Sequence, residues 1–268
     1  MNASDLDFLC ALVRARSGLV LTGERGFFAE SRLSPLARRE GLASVSDVIE
    51  RVMKQPSGPL ARAVIEAMTV QETSFFRDRK AFEGLASGVL PGLLAGGGDV
   101  RVWCAGCGQG QEAYSVAMLV EEAGAASVDI LATDLSQAAL DKAQAGLYTH
   151  FEVQRGLPIR RLLSHFEEVD EAWRVSPALS RRVRWLKLNL IDPIKAPRGY
   201  DLILCRHVVS HFAPDARAKT LDALAQALAP GGRLMLGQDE APPEGFEPVA
   251  GAPCIFRRAG EAEVVIAA

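Results

Sequence analysis

From about residue 98 onward, short runs rich in β-branched and aliphatic residues alternate with segments of helical period. That alternation leaves few architectures open. The runs "DVRVWCA" (99–105), "SVDILATD" (127–134), "RVRWLKLNL" (182–190), "YDLILCR" (200–206) and "GRLMLGQ" (232–238) read as strands. The second, fourth and fifth are nearly continuous in apolar residues, as strands covered on both faces are. Helices are expected at Gln111 to Glu122, Ser136 to Ala145 and Pro214 to Leu228. Strand and helix in repeated succession predict an α/β, doubly wound sheet, with its ligand at the carboxyl ends of the strands.

Before residue 90 the period is different. Leu6, Leu9, Cys10 and Val13 recur at helical spacing, as do Val45, Val48, Ile49 and Val52, then Leu60, Val64, Ile65 and Met68;. Ser4 and Ser46 stand where helix N-caps belong, and "KQPSGP" breaks one segment from the next;. The chain therefore divides into an all-helical N-terminal domain, 1–75, and an α/β domain, 76–268. At 268 residues it is long enough for both;.

Composition excludes several classes. No apolar run approaches the roughly 20 residues that cross a bilayer. "MNASDLDFLC" lacks a basic segment followed by a hydrophobic one, so a cytoplasmic protein is expected;. Five scattered cysteines, an odd number, argue against a disulfide framework;. A net charge of -3 gives no reason to expect nucleic acid as a partner;. From Arg155 to Lys187, however, eight basic residues face four acidic ones, so a local basic surface or a solvated charged face is expected there;.

The run "RVWCAGCGQGQEAYS" (101–115) joins the first strand to its helix and carries Cys104, Cys107 and three alternating glycines. A zinc clip would need two further ligands at matching spacing, and the other cysteines and the four histidines provide no such pair;. A redox pair would begin a helix, where this chain has Gly108 and Gly110;. The glycines instead suit a tight turn that lets backbone approach a cofactor. Glu112 in the first helical turn disfavours a pyrophosphate, which seeks bare N–H groups and positive charge. S-adenosylmethionine, with its ammonium and sulfonium, accepts an acid at that place. Asp134, 28 positions beyond Gly106, ends the second strand, where ribose hydroxyls bind;. Together they point to a class I methyltransferase (Rossmann-like) core.

With that core, "VQETSFFRD" (70–78), "ILATDLSQAALDKAQAGLY" (130–148), "FEVQRGLP" (151–158), "LNLID" (188–192) and "DLILCRHVVSHF" (201–212) resemble, in order and spacing, the chemotaxis receptor methyltransferases of the CheR family. The resemblance implies transfer of a methyl group from S-adenosylmethionine, giving S-adenosylhomocysteine, to glutamate side chains on the cytoplasmic helical bundle of chemoreceptors. It implies that Gln71, Thr73, Arg77, Gly106, Gly108, Glu112, Asp134, Asn189, Leu190 and His207 bind the cofactor. Arg77 and His211 would stand at the reacting atoms, and Arg206 would support the site. It also implies a small β subdomain inserted at about 164–188.

The chain departs from the family pattern at three places. Gln71 replaces the asparagine of N-E-T-x-F-F-R, His207 that of C-R-N-V, and His211 a tyrosine. A catalytically degenerate, cofactor-binding regulator therefore remains an alternative. The insert lacks the glycine-containing turn of members that grip a receptor's tail pentapeptide, so that tether is not expected. Arg32, Arg38 and Arg39 form a candidate docking stripe;. Nothing like N-P-P-Y follows the fourth strand, which disfavours a nucleic-acid amino methyltransferase.

Overall fold

The computed structural model describes residues 1–22, 25–125 and 127–261. The chain separates into two compact units, Met1–Val70 with His211–Lys219, and Gln71–Ser210 with Thr220–Ala268.

Among the described residues, Met1–Val70 of the first unit holds four helices: α1 (Ala3–Ser17), α2 (Arg25–Arg39), α3 (Val45–Lys54) and α4 (Pro59–Ala67). The caps of α1 and α3 are Asn2 and Ser44, not Ser4 and Ser46; each accepts the N–H of an aspartate three residues on, and that aspartate bonds back. Such capping boxes satisfy two otherwise orphaned donors, so the start shifts two residues upstream of the expected serines. Ser46 instead donates to Asp5 at 2.7 Å, tying α3 to α1. Leu9, Val13, Leu33, Val48, Ile49, Val52 and Val64 form the interior of this bundle.

The second unit begins with α5 (Arg79–Gly84), which passes through a π-turn into α6 (Leu90–Ala95). Then follow β1 (Val100–Ala105), α7 (Gln111–Glu122), β2 (Val128–Asp134), α8 (Gln137–Ala145), β3 (Leu147–Thr149), α9 (His150–Gln154), α10 (Ile159–His165), β4 (Phe166–Val169), β5 (Ala172–Val175) and α11 (Pro177–Ser180). The last elements are β6 (Val183–Lys187), β7 (Tyr200–Cys205), α12 (Pro214–Ala227), β8 (Leu228–Leu236), β9 (Phe246–Val249) and β10 (Ala252–Arg258).

A seven-stranded sheet takes the order β6-β2-β1-β7-β8-β10-β9. Pairs β6-β2-β1-β7-β8 are parallel, whereas β10 is antiparallel to both β8 and β9. The chain order reverses at β1, so the loops after β1 and β7 diverge there and leave a crevice at the carboxyl edge. β1 is buried along almost its whole length, and its Trp103 indole donates to Thr133 Oγ1 at 2.9 Å, so that buried N–H is paired;.

A second, three-stranded sheet has the order β3-β5-β4. Its strands lie between Leu147 and Val175, so the insert expected at 164–188 is displaced: Val183–Lys187 is an edge strand of the large sheet. Phe75, fully buried, packs edge-on against Tyr148 at 5.1 Å and Phe166 at 5.6 Å, joining the turn before α5 to this small sheet. Burying one such ring contributes about 1.5–3 kcal/mol.

Candidate active site

The turn after β1 is built from three glycines in the left-handed region, Gly106 (φ 77°), Gly108 (φ 54°) and Gly110 (φ 94°). Side chains are excluded there by space as well as by φ. A Cβ on Gly106 would lie 2.6 Å from the Val208 side chain, and one on Gly110 2.8 Å from that of Ala143. The N–H groups of Gly106 and Cys107 both donate to the Thr133 carbonyl, fastening the turn to the end of β2. Cys104 and Cys107 are buried, and burial pushes both thiols well above their ordinary range.

Asp134, at the end of β2, is the floor of this turn. Its Oδ2 accepts the Gly108 N–H at 2.9 Å, its Oδ1 the Ser136 N–H at 2.8 Å, and the Gln71 amide also bonds to it. Burial raises its pKa, with these donors opposing. A carboxylate at the end of the second strand is the acceptor type that ribose hydroxyls seek. Gln71 Oε1 and the Thr73 side chain come within 3.4–3.8 Å of where a Cβ on Gly108 would stand, so Gln71, Thr73 and Gly108 share one wall. Leu188 N–H bonds to the Asp134 carbonyl at 3.0 Å, which brings Asn189 and Leu190 alongside.

Glu112 opens α7 and is only 8% exposed. Burial raises its pKa above the usual glutamate range, and the nearby Arg206 guanidinium opposes that rise. Arg206 follows β7 and is the hub of the site. Its Nη1 donates to Glu112 at 3.0 Å, and its Nη2 to Asp78 at 2.8 Å and to the Arg77 carbonyl at 2.6 Å. Its guanidinium also lies over the Phe82 ring at 5.1 Å.

Asp78 has a second partner, the His207 ring Nε2, at 2.7 Å. Burial alone would raise the Asp78 pKa. The His207 hydrogen bond and the Arg206, His207 and Arg77 charges outweigh it, holding the carboxyl below the usual aspartate range.

The turn that carries Thr73 and Arg77 is unusual in its backbone. Phe76 (φ 49°) and Asp78 (φ 58°) are left-handed, and the Phe76 N–H is held by Ser115 Oγ at 3.0 Å. Arg77 Nη1 donates to the Glu72 carbonyl at 2.8 Å. His207 is also left-handed (φ 57°). Asparagine, aspartate and histidine enter that region more readily than other side chains, so this replacement keeps the backbone. His211 belongs to the first unit, where its carbonyl accepts the Val20 N–H and the residue is exposed.

Spacing along the chain gave no sign of Glu240. Its carboxylate accepts three backbone N–H groups, those of His207 (2.8 Å), Ser210 (2.9 Å) and Gly237 (2.8 Å), and so ties the turn after β7 to the one after β8. The available signal was its position just past an apolar strand, at the edge where ligands bind. Asp78 was equally silent. Its partners lie 128 and 129 positions away.

These groups suit S-adenosylmethionine. The turn allows close backbone approach, a buried carboxylate faces the start of α7, and a second stands at the end of β2. Gln111 Oε1, buried beside Glu112, has no hydrogen-bond partner in the structure and is a further acceptor there. No phosphate would be drawn to two carboxylates.

The site and sheet thus define a class I, S-adenosylmethionine-dependent methyltransferase. The family described as "CheR methyltransferase, SAM binding domain" matches residues 71–249, and "CheR methyltransferase, all-alpha domain" matches 4–69. The chain belongs to the CheR methyltransferase family. It is 35% identical over 274 residues to chemotaxis protein methyltransferase 1 of Pseudomonas aeruginosa, covering 97% of this chain and 100% of that one. It is also 35% identical over 250 residues to chemotaxis protein methyltransferase 1 of Vibrio cholerae, covering 90% and 91%. Among solved structures, PKMT2 from Rickettsia typhi in complex with AdoHcy aligns with a TM-score of 0.38 and 16% identity, over 63% of this chain and 26% of that one.

Proposed function

We propose that the chain methylates glutamate side chains on the cytoplasmic helical bundle of bacterial chemoreceptors, acting in the cytoplasm without a receptor tail tether. The observation that carries this reading is the Arg206 hub, which binds the T-x-F-F-R turn and the buried Glu112 through one guanidinium. S-adenosylmethionine supplies a methyl group on a positively charged sulfur, ready for displacement.

Glu112 would hold the cofactor's ammonium, Asp134 its ribose hydroxyls, and Asn189 with Leu190 would border the adenine. Gln71, Thr73, Gly106, Gly108 and His207 complete the cofactor's walls. The acceptor carboxylate has an unperturbed pKa of about 4.3, so near neutrality it needs no general base. Alignment and exclusion of water then supply the rate. Arg77 holds the acceptor's second oxygen by a charge-assisted bond. Arg38 and Arg39, exposed at the end of α2, assist docking to an acidic receptor surface;.

Tritium transfer from labelled S-adenosylmethionine to receptor-bearing membranes tests the reading, with S-adenosylhomocysteine affinity measured by calorimetry on the same sample. Base-labile label on the receptor is expected. Tight cofactor binding with no label on any receptor from the same genome refutes it.

A further inference from the structure

The segment from Leu147 to Leu163 is more apolar on its outside than its surroundings. Leu147, Phe151, Ile159 and Leu163 are 37%, 69%, 65% and 68% exposed, four of the nine large apolar side chains exposed among the described residues. Single exposed apolar residues are ordinary, but four within 17 consecutive positions are a concentration the rest of the chain does not show among its described residues;.

Helical geometry explains which side of α10 is left open. Leu162 turns inward, while Arg161 and His165 approach Glu122 at 2.7 and 3.6 Å. Ile159 and Leu163, four apart, therefore share the outer face with Arg160. Arg160 meets no charged partner among the described residues. On α9, Phe151 lies beneath the Arg155 guanidinium, 5.9 Å from its ring centroid. The one acid of this stretch, Glu152, is already engaged by Lys142 and Thr149.

This face adjoins the reacting turn. Arg155 Nη2 is 3.5 Å from Glu72 Oε1, and the Glu72 carbonyl accepts from Arg77. Gly156 passes so close to the turn that a Cβ there would lie 2.1 Å from the Phe75 carbonyl oxygen. Gly156, Leu157, Pro158 and Arg161 also wall a cavity of about 500 Å³ together with Phe76 and Phe82.

We propose that the outer face of α9 and α10 docks the receptor helix that presents the methyl-accepting glutamate. This rests on the receptor-methylating reading above and names the surface that serves it. The acceptor is itself a carboxylate, so the helix brings negative charge to the enzyme at this turn, and the exposed Arg160 complements it, Arg155 being already held by Glu72;. An amphipathic helix offers apolar anchors at i, i+3 and i+4 spacing, for which Phe151, Ile159 and Leu163 are exposed apolar partners, and the cavity walled by Gly156, Leu157 and Arg161 can receive an inserted side chain;.

The test is steady-state methylation of membranes carrying one chemoreceptor from the same genome, by the full chain and by Phe151→Ser, by Ile159→Glu with Leu163→Glu, and by Ile159→Lys with Leu163→Lys. All changes are at exposed positions. Losing an anchor should raise the receptor KM about tenfold. The glutamate pair should raise it more than the lysine pair, with kcat and S-adenosylhomocysteine affinity as in the parent. A parental KM in every variant, equal effects of the two charge signs, or a parallel loss of S-adenosylhomocysteine affinity overturns the docking surface while receptor methylation stands. Failure of the parent chain to label any receptor overturns the functional reading, and this inference with it.

Discussion

Replacing Arg206 by methionine tests how the site is held together. Its side chain is 1% exposed and neutralises two carboxylates, Glu112 and Asp78, of which Glu112 is the more deeply buried. Removing one partner of a buried ion pair costs about 3–5 kcal/mol, because the charge left behind has neither water nor a counterion. In a domain of this size each kcal/mol lowers Tm by about 2–4 °C, so a fall of about 10 °C is expected at pH 8.

The loss should depend on pH in a definite direction. Burial already raises the Glu112 pKa, and Arg206 opposes that rise. Without Arg206 the folded-state pKa climbs further above the unfolded value of about 4.3, so the folded variant binds the proton more readily than the unfolded chain. Stability is then gained as pH falls, and the Tm gap to the parent chain narrows from pH 8 to pH 6. A protonated Glu112 also gives up its attraction for the ligand's ammonium. S-adenosylhomocysteine affinity should fall about 10–100-fold at neutral pH, equivalent to about 1.4–2.8 kcal/mol. Calorimetric binding and differential scanning calorimetry at the two pH values measure both. An equal Tm gap at pH 8 and pH 6, or unaltered affinity, would refute the hub.

Gly156→Ala places a Cβ 2.1 Å from the Phe75 carbonyl oxygen at φ 89° and should lower stability by about 3 kcal/mol in urea unfolding;. Gly88→Ala, where no atom lies within 4 Å, should be neutral or stabilise by up to about 1 kcal/mol in the same assay;. Glu240→Gln removes the charge that three N–H groups share and leaves an NH2 facing one of them. A loss of about 1–3 kcal/mol, with weaker S-adenosylhomocysteine binding, is expected by calorimetry. His207→Asn keeps the left-handed backbone but loses the ring bond to Asp78. Asp78 is held below its ordinary pKa, so its contribution is present above the unfolded pKa of about 3.9 and lost as pH falls through the folded value;. The Tm gap between His207→Asn and the parent should therefore be open at pH 7 and closed once Asp78 is protonated.

What the chain revealed in advance depended on distance along it. The helix Gln111–Glu122 emerged at its observed bounds, and Ser136 caps the helix it was expected to begin, because period and capping are written into neighbouring residues;. The antiparallel pairing of β10 with β8 and β9 was not anticipated, since the short runs beyond residue 240 show no clear alternation. The basic excess from Arg155 to Lys187 is a sum over consecutive residues. In the fold Arg155, Arg161, Arg182 and Arg184 are met by Glu72, Glu122, Glu121 and Asp129 from other elements, which leaves much less free charge than the count implies.

The glycine turn and its two acids were legible for the same local reason, whereas their support was not. Asp78, Arg206 and Glu240 come from three separate loops, each at a helix start or past a strand end, and only the doubly wound sheet delivers those loops to one edge. The residues proposed to hold the cofactor can therefore be read from a motif, but the charges that hold them in place follow from topology. His207 shows the consequence. Read along the chain it is a lost asparagine, whereas in the fold its left-handed backbone is kept and its ring takes up Asp78, the carboxylate that already anchors Arg206.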